Sequence, residues 1–314
     1  MVNHLILFAM LLSPAAKAEL IEIEGYGNQK EAEASLAKTF QQSLKKENVK
    51  NFLNNTKNGK LKVLLGSLIF SETKDLQKGM DVCGEERNHR QCWYGVMSAF
   101  AAKKAGSDQE KFLTELFQLN CFKEQNSLLP ICSHSAGHAF FEYTKGAIPV
   151  ALKLCSDRRI PQTAISFCES GVFNRYFLQH RSVVVKDNKI DLTPCSPDKT
   201  LSLCLKYKFI AAKEEDKNLE NNYGRYCHDL NRYANECFSA IGGSIEAEQL
   251  KNKNKKISDL CAQGNTNERW SCYRTVFKTF LYEIGTKEEA ALNCSSLYDK
   301  SLQKKCLSFI NKTI

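Results

Sequence analysis

No C-x-x-C pair occurs among the fourteen cysteines of this 314-residue chain, which argues against the closely spaced thiolate ligands of a structural zinc site. There is likewise no C-x-x-C-H for covalent haem. A glycine-rich phosphate loop, a nucleophile elbow and a triad-like motif are all missing, so nucleotide and acyl-transfer chemistry have no anchor here. Beyond residue 18 nothing approaches the ~20 consecutive apolar residues of a membrane helix. No nucleic-acid motif is present either. The net charge of +9 comes from 44 basic and 35 acidic residues. Because the two signs are interleaved, ordinary solvation accounts for it, beside a weak preference for anionic partners. The densest basic run, Lys251-Asn252-Lys253-Asn254-Lys255-Lys256, reads as a loop between helices.

The chain opens with an apolar run, Leu5 to Leu12, that is too short to span a bilayer. Ala16-Lys17-Ala18 then supplies a small-x-small cleavage site before Glu19. Residues 1–18 therefore read as a secretory signal peptide, and the expected mature chain is soluble and periplasmic or secreted. In that setting an even cysteine count reads as a disulfide framework.

The cysteines alternate between short and long gaps. The short ones are Cys83–Cys92, Cys121–Cys132, Cys155–Cys168, Cys195–Cys204, Cys227–Cys237, Cys261–Cys272 and Cys294–Cys306, each 9 to 13 residues, and the long ones run from 22 to 29. Between second cysteines the steps are 40, 36, 36, 33, 35 and 34 residues. A period of that length marks stacked supersecondary units. Four residues after the second cysteine stand Val96, Ala136, Val172, Lys208, Ile241, Val276 and Ile310, and eight after stand Phe100, Phe140, Tyr176, Ala212, Ile245, Phe280 and Ile314. Cysteine, +4 and +8 share one helical stripe, so each repeat opens with a helix that buries its cysteine. Lys208 departs from the stripe, with Phe209 and Ile210 expected to take over its core role. A second stripe lies four residues before the first cysteine, at Phe117, Ala151, Tyr223, Ile257 and Ala290. Asp191 breaks it, in an irregular stretch from Val183 to Pro197.

Residues 19–80 lack cysteine and read as an N-terminal cap or small module before a cysteine-rich domain over 81–314. Ile21 to Gly27 alternates like a short strand, and Gln29 to about Lys46 has helical spacing. Leu61 to Ile69 is apolar and fits a helix or a strand equally well.

Ala151-Leu152-Lys153-Leu154-Cys155 followed by Cys168-Glu169-Ser170-Gly171 resembles the A-x-x-x-C…C-x-x-G pattern of cysteine-rich Sel1-like repeat proteins. Cys92-Trp93-Tyr94-Gly95 and Cys237-Phe238-Ser239-Ala240 echo it. The resemblance covers residues 83 to 314 in rhythm and implies an exported α/α solenoid with one disulfide per repeat, of a kind that mainly binds proteins. The spacing between paired cysteines is longer here than in that family. The expected fold is all-α: a disulfide-stapled α/α solenoid of about six helical hairpins behind the N-terminal module. Each staple would join the end of one hairpin to the start of the next. Closing loops of about ten to thirteen residues restricts the unfolded chain by roughly 2.5–3 kcal/mol per bridge in the entropy model.

One constellation rises above background: Cys132-Ser133-His134-Ser135-Ala136-Gly137-His138-Ala139-Phe140-Phe141-Glu142. Measured from Cys132, the stripe is centred at roughly 40° and His134, His138 and Phe141 fall at roughly 200°, 240° and 180°, from the helical period. The two histidines thus point away from the stripe, with Glu142 at the edge of their face. Equivalent positions in the neighbouring repeats hold Tyr94 and Ser98, then Ser170 and Asn174. Stacked repeats bring such residues side by side. Three readings stay open. His134, His138, Phe141, Glu142, Tyr94, Ser170 and Asn174 form a binding patch for a protein or an anionic cell-envelope component. Alternatively, His134 and His138 hold zinc or another divalent metal in a hydrolytic enzyme, with Glu142 or Glu169 completing the site. Or these are packing residues with satisfied hydrogen bonds. No cofactor is expected on the first and third. Arg158-Arg159 and Arg175 offer charge for an anion but read as solvated.

Overall fold

The computed structural model describes residues 46–313 apart from 57, 87–88, 124–127, 181–184, 187–188, 197, 214–221, 246–254, 284–285, 296 and 298. The leader, the strand at Ile21 to Gly27 and the helix from Gln29 lie outside the described residues. The chain divides into two compact units at Arg175/Tyr176. Among the described residues the protein is helical except for one two-stranded ribbon.

The first unit contains α1 (Lys46–Asn55), α2 (Gly59–Thr73), α3 (Leu76–Cys83), α4 (Arg90–Lys104), α5 (Gln109–Phe117), α6 (Leu129–Tyr143), α7 (Ile148–Leu154) and most of α8 (Ile165–Gln179). Side-chain caps set several starts. Asn58 accepts from the Lys60 and Leu61 amides, Asp75 from Lys78, and Asp108 from Lys111, satisfying amides that have no partner inside the helix. Pro130 and Pro149 occupy first-turn positions of α6 and α7, where a missing N–H costs nothing.

All seven short-gap pairs are disulfide-bonded, Cys83–Cys92, Cys121–Cys132, Cys155–Cys168, Cys195–Cys204, Cys227–Cys237, Cys261–Cys272 and Cys294–Cys306. Each second cysteine lies in a helix. Cys92, Val96 and Phe100 on α4, and Cys132, Ala136 and Phe140 on α6, are all buried, whereas Tyr176, at +8 on α8, is half-buried. These helices pack in order, α2 on α4 and α4 on α6. In two of the contacts the backbones touch. A Cβ at Gly66 would lie 2.0 Å from the Cys92 carbonyl, and one at Gly95 would lie 1.8 Å from that of Val63. Between α6 and α8 the same contacts recur, Gly137 against Cys168 and Gly171 against His134, each at 2.0 Å. Only glycine permits such approach.

That recurrence settles the identity of α2. Gly66 stands to Cys92 as Gly137 stands to Cys168, which puts Leu61 in the place of a second cysteine. Leu61, Leu65 and Ile69 form its buried stripe at 0, +4 and +8. The apolar run at Leu61 to Ile69 is therefore a helix, and it packs as a cysteine helix without a cysteine.

The second unit holds the ribbon β1 (Val185–Lys186) and β2 (Lys189–Ile190), then α9 (Leu201–Lys213), α10 (Tyr223–His228), α11 (Ala234–Ser244), α12 (Lys255–Ala262), α13 (Thr266–Glu283), α14 (Lys287–Ser295) and α15 (Lys300–Thr313). Lys255 and Lys256 open α12, so the end of the dense basic run is helical. Helices α9, α11 and α13 pack in order, and α13 touches α15. Their seam carries hydroxyls: Ser202 donates to Ser239 at 3.0 Å, and Ser239 meets Thr275 at 2.7 Å.

The two irregularities of the cysteine pattern belong together here. Lys208 is fully buried in the core position that the stripe assigns it. Its Nζ donates to the carbonyls of Asp191 and of Thr193, the latter at 2.7 Å, and faces Asp191 Oδ2 at 3.4 Å. Burial pulls the ammonium pKa down while Asp191 pulls it up, and the net direction is down. The expectation that Ile210 replaces Lys208 in the core is overturned, since Ile210 is 38% exposed; Phe209 is buried as expected. The irregular chain around Asp191 lacks a helix's internal hydrogen bonds, and the lysine reaches its free carbonyls.

Candidate functional site

On an isolated α6 the +2 and +6 positions after Cys132 would face solvent. In the protein α4 and α8 close on that helix from both sides, and the face becomes interior. His138 is fully buried and His134 is 9% exposed; Tyr94, Ser98, Phe141 and Ser170 are also buried. Asn174 and Glu142 are half-buried. The structure thus brings Tyr94, His134, His138, Ser170 and Asn174 together as the repeat register implies. It does not present them as an exposed patch. The glycine contacts between α6 and α8 are the cause, because they bring the two backbones close enough to cover the side chains between them.

Within the cluster the Tyr94 ring stacks on His138 at 4.5 Å and lies 4.9 Å from the His134 ring. His134 Nδ1 is 2.7 Å from Ser170 Oγ, which itself donates to the Phe167 carbonyl at 2.8 Å. His134 Nε2 is 3.2 Å from Asn174 Nδ2 and 3.3 Å from His138 Nε2. With both imidazoles neutral, one arrangement of protons satisfies every contact. Ser170 spends its hydrogen on Phe167, so His134 Nδ1–H donates to Ser170. His134 Nε2 then accepts from Asn174 and from His138 Nε2–H. The lone pair of His138 Nδ1 is left without a hydrogen-bond partner, as are the buried hydroxyls of Ser98 and Ser133. Burial holds the His138 pKa well below its ordinary value, reinforced by His134 and by Arg175.

The remaining site residues are committed elsewhere. Glu142 Oε1 accepts from Arg175 Nε at 2.5 Å, so Arg175 is paired rather than solvated. Arg159 is likewise tied to Asp157 at 2.7 Å and to Glu110 at 2.8 Å. Glu169 is buried. Among the described residues no group of three His, Cys, Asp or Glu side chains could hold a metal ion, and the His134 Nε2 lone pair already accepts two N–H groups. Zinc at His134 and His138 would have to displace that network and would still lack a third ligand there.

In the second unit the corresponding face of α11 is covered as well, with Ser239 half-buried and Gly243 buried, but that of the last two cysteine helices differs. At +2 and +6 stand Arg274 and Lys278 on α13 and Ser308 and Lys312 on α15, all exposed. The two helices meet through an edge-on Trp270–Phe309 contact at 6.1 Å. The exposed residues of α15 are Lys300, Ser301, Lys304, Lys305, Ser308, Asn311 and Lys312, which fall within roughly 140° of arc at the helical period. Sequence reasoning missed this arc. The signal was available, because Lys300 to Thr313 contains four lysines and no acid.

No family model matches the chain, and neither a curated protein nor a solved structure is significantly similar to it.

Proposed function

We propose that the protein is an exported binding or scaffold protein. In this reading each unit is a stack of helical hairpins of Sel1-like, solenoid type, and a protein or cell-envelope ligand is engaged through the exposed face of stacked helices. The supporting observation is the strictly local stapling. Every disulfide spans 9 to 13 residues and ties neighbouring elements, which suits a linear stack that presents an extended rigid surface. Seven disulfides point to maturation in an oxidising compartment, in keeping with a periplasmic or secreted protein. Among the described residues no helix is long and apolar enough to cross a membrane. The stripe of Leu61, Leu65 and Ile69 suggests that the stack begins one repeat before the first cysteine, within residues 19–80.

Since His134, His138 and Phe141 are interior, the reading places recognition on exposed residues instead. Affinity capture from the native compartment tests it, comparing wild type with Arg274→Glu/Lys278→Glu/Lys304→Glu/Lys312→Glu. Loss of captured ligands with intact helical content is expected. An unchanged ligand set would remove this face from consideration.

A further inference from the structure

We infer that the basic arc of α15, together with Arg274 and Lys278 of α13, docks on the surface of an anionic phospholipid membrane. The inference rests on the scaffold reading and names its ligand. On α15 Leu302, Cys306 and Ile310 are buried and Gln303, Leu307 and Phe309 are half-buried at the flanks, while among the described residues every exposed one is lysine, serine or asparagine. Arg274 and Lys278 continue the charge on the adjacent helix, at the same positions relative to their buried cysteine.

Among the described residues none of Arg274, Lys278, Lys300, Lys304, Lys305 and Lys312 enters an ion pair. The nearest acids of the neighbouring α14 are its first-turn residues Glu288 and Glu289, and Glu289 is engaged with the Thr286 amide at 3.0 Å. Among the described residues six cations on two adjacent helices therefore face solvent outside any ion pair, and the acid that opens α15, Asp299, is engaged by the Ser301 and Leu302 amides at 2.8 and 3.2 Å.

The chemistry of the arc selects the partner. A protein interface needs an apolar centre inside a polar rim, and no apolar residue is exposed on α15. Readers of single-stranded nucleic acid interleave aromatic side chains with the charge, and none is exposed there. A plane of lipid phosphates needs neither; it rewards lysines spread over a surface and requires no shape complementarity. With no exposed apolar residue on α15 itself, and Leu292 of the neighbouring α14 as the one exposed leucine nearby, the docking is peripheral, reversible and screened by salt.

Flotation of the full disulfide-bonded chain with vesicles tests this, using phosphatidylcholine alone and phosphatidylcholine with about 30 mol% phosphatidylglycerol as the anionic lipid. Wild type is expected to float only with anionic vesicles, and to be released on going from about 50 mM to about 300 mM salt. Lys304→Ser/Lys305→Ser/Lys312→Ser should bind roughly a hundredfold more weakly, about fivefold per lysine, with unchanged circular dichroism. The equal-charge control Lys103→Ser/Lys111→Ser/Lys153→Ser, at exposed sites of the first unit, should bind as wild type does.

Equal loss in both triple variants would reduce the effect to net charge and overturn the proposal. So would wild type that ignores anionic vesicles at low salt. Binding to soluble polyphosphate but not to vesicles would also overturn it, in favour of a polymer. A chain that ignores vesicles yet still captures its ligands through the same face loses this inference and keeps the scaffold reading.

Discussion

The +2 and +6 positions after the second cysteine are neutral and buried or half-buried in the first unit, but exposed on α13 and α15 of the second, where three of the four are cationic. In the first unit the rows Tyr94/Ser98, His134/His138 and Ser170/Asn174 are pressed between helices whose backbones touch at glycines. In the second, Arg274, Lys278 and Lys312 occupy the same helical angle and remain in water. A charged group tolerates that angle only where no neighbour closes over it, because burying an unpaired charge costs several kcal/mol. On α13 the helix on one side, α11, still comes close, with a Cβ at Gly242 2.1 Å from the Cys272 carbonyl, but toward α15 Phe277 and Phe309 stand where α6 and α8 have Gly137 and Gly171.

Breaking the close approach should have the largest effect. Gly137→Val forces a branched side chain onto the Cys168 carbonyl and the Gly171 Cα. We expect at least about 3 kcal/mol of destabilisation, confined to the first unit. The two tryptophans provide the measurement, since Trp93 belongs to one unit and Trp270 to the other. Urea unfolding of Trp270→Phe reports the first unit and of Trp93→Phe the second. A Gly137→Val midpoint equal to that of its parent would refute the contact.

The histidine network comes next. His138→Ala leaves a cavity under Tyr94 and removes one donor to His134, for a loss of about 2–4 kcal/mol in the first unit. His138→Phe keeps the ring stack and deletes the partnerless Nδ1, so it should cost less than about 1.5 kcal/mol. If alanine and phenylalanine are equally harmful, stacking does not hold the site.

In the second unit, Lys208→Met keeps the volume but strips the Asp191 and Thr193 carbonyls of their donor. About 2 kcal/mol should be lost from the Trp270 transition, with the Trp93 transition unmoved. A shift in both would mean that the effect is not local.

Acid sharpens the comparison further. A histidine kept neutral by burial binds its proton less readily in the folded chain than in the unfolded one. From the ordinary value near 6.5 down to the depressed native value, the unfolded chain therefore holds more protons, and folded stability falls as pH falls. The contribution is fully present well above about pH 6.5 and should weaken the first unit progressively as the pH falls through about 6.5 toward the depressed native value. His138→Phe should flatten that slope, and an unchanged slope would assign the sensitivity to another group. The smallest effect is expected at Arg274→Ser/Lys278→Ser, within about 0.5 kcal/mol of wild type, because both side chains are exposed.

Much of the fold could be read before any coordinates. The cysteine spacing announced seven local pairs, and the +4 and +8 stripes announced the helices that carry them. The same register brought Tyr94, His134, Ser170 and Asn174 to one place. Three things could not be read that way. Leu61 carries no cysteine to mark α2 as a repeat, Lys208 and Asp191 looked like separate faults, and His134 and His138 looked solvent-facing.

Covalent pairing, helix phase and repeat register follow from chain-local spacing, and that is what the sequence by itself determined. Which side of each helix is inside depends on how near its neighbours come. That distance is decided where glycines such as Gly137 and Gly171 meet across two helices, by contacts between residues far apart in the chain, and so only the tertiary structure could make a buried network of one face and an open basic surface of its counterpart.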